Sequence, residues 1–279
     1  QRQMCIRDRN KCSQCEQRKR FMMKDDRNIV QSVAKAFSVL RAFDVGHAEL
    51  TVSDVAKAAG LDRGTAFRLI HTLVALGYLA EVPNSKRYWL TLKCLELGHS
   101  ALQGAGLPGL SRPQLQMLVP SYGDAASLGA LEGADVIYLE RIQGDLGRHP
   151  PERRAGSRTG AYAAALGHAI LAFLPTEAAS TILDSSTLVA LSDRTLTDKR
   201  QIMARLEEVR HQGFAVSDGE NAYGLRTVAA PLFWPNGSVR AAISLTIKSE
   251  RQGLQDFVSS AVPKLLSTAK TITDGACMA

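Results

Sequence analysis

The sequence predicts a mixed α/β fold of the α+β kind, split into two units, and three observations carry that prediction. The chain has 279 residues, and at about 150 residues per domain this length suggests two domains. Its first third shows apolar residues at helical spacing, punctuated by caps and closed by two short extended pieces around a polar turn. The remainder mixes paired strand signals with amphipathic helices, the mark of an antiparallel sheet covered by helices. A hydrophobic content of 45% at this length leaves ample material for a core.

Composition excludes several classes. No run approaches the roughly 18 apolar residues of a membrane span, the start lacks the apolar stretch of a secretory signal, and five cysteines do not make a disulfide scaffold. A cytoplasmic protein with no membrane partner is expected. The formal charge of +7 is unevenly placed: residues 1–24 hold eight Lys/Arg against two Asp/Glu, and the rest of the chain is nearly balanced. Those first residues have no apolar period, and Met4–Arg9 reads like the translation of a transposon end used in sequencing libraries. Residues 1–24 are therefore read as a non-native or disordered tail, with a natural start at Met22 or Met23. Cys12-x-x-Cys15 is half of a zinc site with no second pair at suitable spacing, so neither metal nor cofactor is expected.

The N-terminal unit, 28–90, reads as a winged helix-turn-helix. Ile29, Val33, Ala36, Phe37 and Leu40 recur on one helical face. Thr51 or Ser53 can cap a short helix from Val52 to Ala59, and Gly60 supplies its left-handed exit. Asp62 can cap a helix from Arg63 to Leu76, whose inward stripe is Ala66, Leu69, Ile70, Leu73 and Leu76. Two short helices joined by a tight turn form the layout in which the second helix reads a DNA major groove. Arg63, Gly64, Phe67, Arg68 and His71 fall on its outer side. Small Gly64 and Thr65 would let the backbone approach the duplex, and Arg63 and Arg68 suit bases or phosphates. Tyr78–Val82 and Arg87–Leu90 around Pro83–Lys86 read as a hairpin, a wing that aims Lys86 and Arg87 at the DNA backbone. From 57 to 93 six Lys/Arg face two Asp/Glu, a modest electrostatic footprint. The bland reading, a helix-turn-helix used only for protein contact, predicts the same pattern.

In the C-terminal unit, Ala126–Leu131 and Val136–Ile142 flank a Glu-Gly-Ala-Asp hairpin signal. Thr227–Phe233 and Val239–Ile247 flank Pro235-Asn236-Gly237. Helices are expected at Ala163–Phe173, Lys199–Gln212 and Phe257–Ile272. No catalytic set emerges: the six histidines are scattered, and neither H-E-x-x-H nor G-x-S-x-G occurs. Gly104-x-Gly106-x-x-Gly109 follows a helix rather than a strand and contains Pro108, so it reads as a flexible link and not a dinucleotide loop.

Three blocks, in order, resemble one family. Leu61–Gly98 (LDRGTAFRLIHTLVALGYLAEVPNSKRYWLTLKCLELG) resembles the DNA-binding end of IclR-family transcriptional regulators. Gly156–Leu174 and Ser217–Leu245 resemble two blocks of that family's effector domain, and the similarity spans Asn28 to Thr273. Gly106–Gly109 is most similar to the branch controlling aromatic-acid breakdown of the β-ketoadipate type. The resemblance implies a GAF-like effector domain over 108–276 and a linker helix over 91–107. It also implies a homodimer or dimer of dimers on a double-stranded operator, answering to a small organic acid. Carried onto this sequence, it places effector contacts at Ala165 and Leu166, where a helix would begin, and at Thr227, Ser244 and Thr246 on two strands. Asp218 sits in the acidic loop, although some relatives carry their acid one residue earlier, where this chain has Ser217. Arg141, beside an apolar strand, could pair a carboxylate bidentately. Gly160 stands where the family usually has proline, and the basic run Arg148–Arg154 reads as a solvated loop. Two other readings stay open: a small-molecule enzyme using its helix-turn-helix only to dimerise, and a nucleic-acid-binding protein with no ligand.

Overall fold

The computed structural model describes residues 28–44, 46–105, 107–144, 153–234 and 236–278, with side chains except at 99, 101–105, 240, 277 and 278. The tail with Cys12 and Cys15, most of the basic run, Gly106 and Pro235 lie outside the described residues. The chain parts into two compact units between Gly98 and His99.

In the first unit, α1 (Gln31–Leu40), α2 (Val52–Ala59) and α3 (Arg63–Ala75) precede a small sheet of β1 (Leu50–Thr51), β2 (Leu79–Glu81) and β3 (Arg87–Leu90), ordered β1-β3-β2. Thr51 caps α2 through a reciprocal box with Asp54, and Gly60 ends it at φ 67°, a left-handed angle that favours glycine. Asp62 caps α3 by accepting from the Thr65 N–H at 2.8 Å. Val39, Val55, Ile70, Leu73 and Leu79 close the core with Phe43, Leu50 and Tyr88.

Three local expectations need correction. Leu76 lies past the end of α3 and is 54% exposed, so the inward stripe stops at Leu73. The expected inner face of α1 is largely solvated, with Val33 52% and Phe37 48% exposed, while Val39 is buried. Helical periodicity reveals an apolar face but not whether that face meets the core or something outside the unit. Strand β1 was not anticipated; at two residues it is too short to show any alternation, and only its pairing with β3 defines it.

The second unit is built on a six-stranded sheet, ordered β6-β5-β4-β9-β8-β7, with every neighbouring pair antiparallel. Its strands are β4 (Ala125–Glu132), β5 (Asp135–Gln143), β6 (Arg158–Gly160), β7 (Ala215–Asp218), β8 (Leu225–Phe233) and β9 (Val239–Lys248). Helices α4 (Cys94–Ala105), in which the two units part, and α5 (Leu107–Tyr122) run through the expected link, placing Gly104 and Gly109 in helix. Pro108 is tolerated in the first turn of α5, where its missing N–H has no helical partner to lose.

Alternation sorts the strand side chains onto two faces. Val228, Ala230, Ile243, Leu245 and Ile247 pack with α5 and α9 (Leu254–Met278), around Leu115, Leu118, Phe257 and Leu265. Ala229 and Ala242 join the opposite core, with α6 (Ala165–Leu171), α7 (Thr176–Ser185) and α8 (Lys199–Gln212). Asp198 caps α8 and Gly213 ends it at φ 85°, which matches the bounds read from sequence. Helix α6 is shorter than expected because 161–164 form a turn that precedes it. Helix α9 starts earlier and ends later than its apolar period indicated.

Candidate nucleic-acid interface and effector cavity

The outer side of α3 is an exposed row. Arg63, Gly64, Phe67, Arg68 and His71 are exposed, and Thr65, whose N–H serves the cap, is half-buried. The Phe67 and His71 rings meet at a tilt with centroids 4.3 Å apart, and Tyr88 meets His71 edge-on at 6.5 Å, so the wing strand buttresses the helix. Lys86 and Arg87 are exposed at the hairpin, whose turn places Asn84 at φ 57°. Arg87 also donates through Nη1 to the Glu49 carbonyl at 3.1 Å, which fixes its stem. Among the described residues, no ion pair neutralises Arg63, Arg68 or Lys86. A helix end bearing uncompensated guanidinium groups beside a basic hairpin suits phosphate and base edges.

The second site is a narrow recess on the α6 side of the large sheet, with about 290 Å³ of empty space when the solvent at its mouth is included. It is lined by Tyr138, Arg141, Arg153, Ala164, Ala165, Leu166, Ser217, Asn221, Thr227, Ser244 and Thr246. Cross-strand register explains the grouping. Arg141, Ser127 and Ser244 face one another across β5, β4 and β9, and Thr246, Thr227 and Ser217 continue the next row across β9, β8 and β7. The Thr227 and Thr246 hydroxyls lie 3.0 Å apart.

Tyr138 and Arg141 are three residues apart on β5, so strict alternation would send them to opposite faces. An irregularity resolves this. Tyr138 pairs with Gly129 and Glu140 with Leu128, leaving Leu139 as an extra residue. The bulge turns both Tyr138 and Arg141 to the side of Gly129 and Ser127.

Arg141 is the most constrained cation of the site. Its Nη1 donates to Ser127 Oγ at 2.9 Å and its Nε to Gln143 Oε1 at 3.1 Å, while Nη2 is buried with no hydrogen-bond partner. Burial pulls its pKa below the usual arginine range, Tyr138 pushes it up, and Arg153 adds like-charge repulsion. An arginine still keeps its proton at neutral pH. A buried guanidinium N–H without an acceptor is costly, and an incoming anion would relieve it.

Of the residues expected at this site, Arg141, Ala165, Leu166, Thr227, Ser244 and Thr246 are gathered around the one cavity; Asp218 is not. Asp218 points away along β7 and is held by Arg194 at 2.6 Å and Arg226 at 2.8 Å; its neighbour Ser217 takes the lining position, as strand alternation requires. Ala165 and Leu166 do open α6, but seven residues are too short for the helix terminus to act as an anion site on its own. Sequence reasoning missed Tyr138, which only the bulge reveals, and Asn221, which sits in the irregular loop after β7. Arg153 belongs to the basic run and had no signal separating it from solvated neighbours.

Gly167 allows α6 to approach the preceding turn: a Cβ there would collide with the Ala161 backbone carbonyl. His168 is fully buried, its Nε2 2.5 Å from the Tyr162 carbonyl, and burial lowers its pKa to about 4. Among the described residues no group of His, Cys, Asp and Glu is placed to hold a metal ion, and no helix is long and apolar enough to cross a membrane.

Comparison with known proteins identifies both units. Residues 32–83 match the IclR helix-turn-helix domain, and residues 99–274 match the bacterial transcriptional regulator IclR C-terminal domain. The chain is 28% identical over 247 residues to the Pca regulon regulatory protein of Pseudomonas putida, covering 88% of this chain and 84% of that one. Its structure is similar to that of RHA06195, a candidate transcriptional regulator from Rhodococcus sp. RHA1, with a TM-score of 0.76 at 35% identity over 88% of this chain and 98% of that chain. An IclR homologue from Microbacterium hydrocarbonoxydans, solved in complex with 4-hydroxybenzoate, superposes with a TM-score of 0.77 over 89% of this chain and 100% of that chain; at 24% identity it speaks for the fold. With both domain matches in order over most of its length, the chain belongs to the IclR family of DNA-binding transcriptional regulators, and it is a regulator rather than an enzyme.

Proposed function

We propose that operator binding by this regulator is controlled by a small organic acid, a metabolite of aromatic-acid breakdown, held in the cavity between the large sheet and α6. One observation carries this reading: Arg141 lines that cavity, its guanidinium is locked by Ser127 and Gln143, and its buried Nη2 has no acceptor. The effector carboxylate completes that site, with Ser244, Thr246 and Thr227 supplying hydroxyls. The benzoate bound by the Microbacterium homologue names the first class of probe.

The Arg63–His71 face of α3 enters the major groove, and Lys86 and Arg87 hold the phosphates beside it. Two such heads on one dimer read the halves of a palindromic operator, since two-fold protein symmetry requires matched half-sites. The half-exposed Val33 and Phe37 of α1, together with exposed Leu92, Leu95 and Leu97 around α4, supply apolar surface of the kind that pairs protomers. Helix α4 carries the effector signal to the heads.

Calorimetric titration with 4-hydroxybenzoate, protocatechuate, β-ketoadipate, pyruvate and glyoxylate tests the ligand, and anisotropy with DNA from upstream of the protein's own gene tests the operator. Saturable binding of at least one acid, and a DNA affinity that falls steeply with salt and changes when that acid is present, are expected. Binding of no acid, or DNA affinity indifferent to the bound acid, overturns the reading.

A further inference from the structure

The outer face of α3 is not wholly polar. Between Arg63 and Arg68 it carries Phe67, which is 49% exposed and takes no part in the core of the first unit. Helical spacing sets Arg63, Phe67 and His71 in one row, and Gly64 and Arg68 in the row beside it. The Phe67 ring is braced: His71 lies against it at a tilt, and the buried Tyr88 of β3 meets His71 edge-on. Toward the start of the helix, Gly64 has no side chain to cover the ring. A Cβ at Gly64 would touch only the Asp62 carboxylate among the described residues, so nothing there forbids a larger residue. A lone exposed aromatic is ordinary. This one is held from its side and stands among guanidinium groups that no ion pair among the described residues neutralises.

The chemistry of the major groove selects what such a ring can meet. Guanine, adenine and cytosine present hydrogen-bond donors and acceptors there, and a phenyl ring pressed on them leaves those groups without partners. Thymine presents a 5-methyl group, the apolar feature of that groove. A braced ring takes the methyl out of water at little cost in rotamer entropy, while Arg63 and Arg68 serve phosphates or guanine edges on either side. Apolar wedges that unstack bases act from the minor groove, whereas Phe67 sits in the first half of a recognition helix, the part that faces base edges.

Building on the reading of α3 as the helix that enters the major groove, we infer that Phe67 is a specificity-determining residue that packs on the methyl group of one thymine in each operator half-site. The arginines beside it carry the charge-dependent share of binding, and Phe67 carries a share that salt does not screen.

The test is fluorescence anisotropy of the full chain with a duplex that the chain itself enriches from a random pool. The same duplex is then made with deoxyuridine in place of thymidine, an exchange that removes the methyl groups and keeps every hydrogen-bonding edge. One buried methyl per half-site is worth about fourfold, so across two half-sites the parent protein is expected to bind the uridine duplex about tenfold less tightly. Single exchanges should trace that loss to one symmetry-related pair of thymines. Phe67→Ala should bind the thymidine duplex about tenfold less tightly than the parent and respond to the exchange by less than about twofold. It should keep the parent's melting temperature and salt slope, because it removes neither core packing nor a phosphate contact. Phe67→Leu, which restores an apolar side chain, should recover most of the response. A parent protein indifferent to the exchange, a loss spread evenly over many thymines, or a Phe67→Ala variant that responds as the parent does would overturn the inference while leaving α3 as a groove reader. Enrichment of no sequence at all would overturn both the inference and the reading on which it rests.

Discussion

His168 and Gly167 sit side by side in α6 and carry different burdens. His168 is neutral in the folded protein because full burial penalises its charged form, giving a pKa of about 4 against 6.5 for the free side chain. The unfolded chain therefore binds the extra proton first as pH falls. Stability from this group is complete above about pH 6.5 and is lost progressively between pH 6.5 and 4, to a total of about 3 kcal/mol. Denaturant titrations should show that slope in the parent protein and a flatter one in His168→Gln. The comparison between the two cancels Glu220, whose carboxyl burial pushes up and Arg205 pulls down, and which therefore opposes His168 in sign. An unchanged slope would show that His168 does not titrate in this range. Gly167 has a backbone reason to lack a side chain. Gly167→Ala forces a Cβ against the Ala161 carbonyl and should cost at least about 3 kcal/mol, whereas Gly133→Ala, at a turn with open space but φ 62°, should cost about 1 kcal/mol.

At the scale of elements, how much could be read in advance depended on whether a local rule decided the outcome. Helix α8 was legible to the residue because Asp198 and Gly213 are strong local stops. The two hairpins of the large sheet were legible because Gly133 and the Asn236-Gly237 pair impose their turns. The inner face of α1 was not, since its partner surface lies outside the pattern. The cavity was half legible: Ser244, Thr246 and Thr227 came with the family resemblance, alternation adding only that the first two share a face, whereas Tyr138 and Arg153 depend on a bulge and on an irregular segment with no period to betray them. For α3, truncating a core residue and a face residue should have opposite signatures. Ile70→Ala, fully buried, should lose about 2–5 kcal/mol of stability. Arg68→Ala should leave the melting temperature in place, weaken operator binding, and lower the magnitude of the log–log salt slope by about one. A lost melting point in Arg68→Ala would contradict its placement on the open face.

For the molecule as a whole, regulation requires that one ligand distinguish two arrangements of the DNA-reading heads; equal affinity for both would shift nothing. The division of labour is testable with a pair of changes. Arg68→Ala should keep ligand-induced thermal stabilisation, which at a hundred times Kd amounts to about 2.7 kcal/mol, and lose DNA affinity. Ser244→Val should keep ligand-free DNA affinity and lose the stabilisation. Both changes impairing both activities equally would refute a separation between sensing and reading.

The additional residue in β5 has a consequence for selectivity. Were Leu139 drawn into regular pairing, Glu140 would take the place opposite Ser127, and the recess would present an acid where it now presents a base. If the recess holds an organic acid as proposed, this kink is what turns a base rather than an acid toward it beside Arg153, so a sister protein with a smooth strand here and the same two neighbouring letters should bind such acids less well.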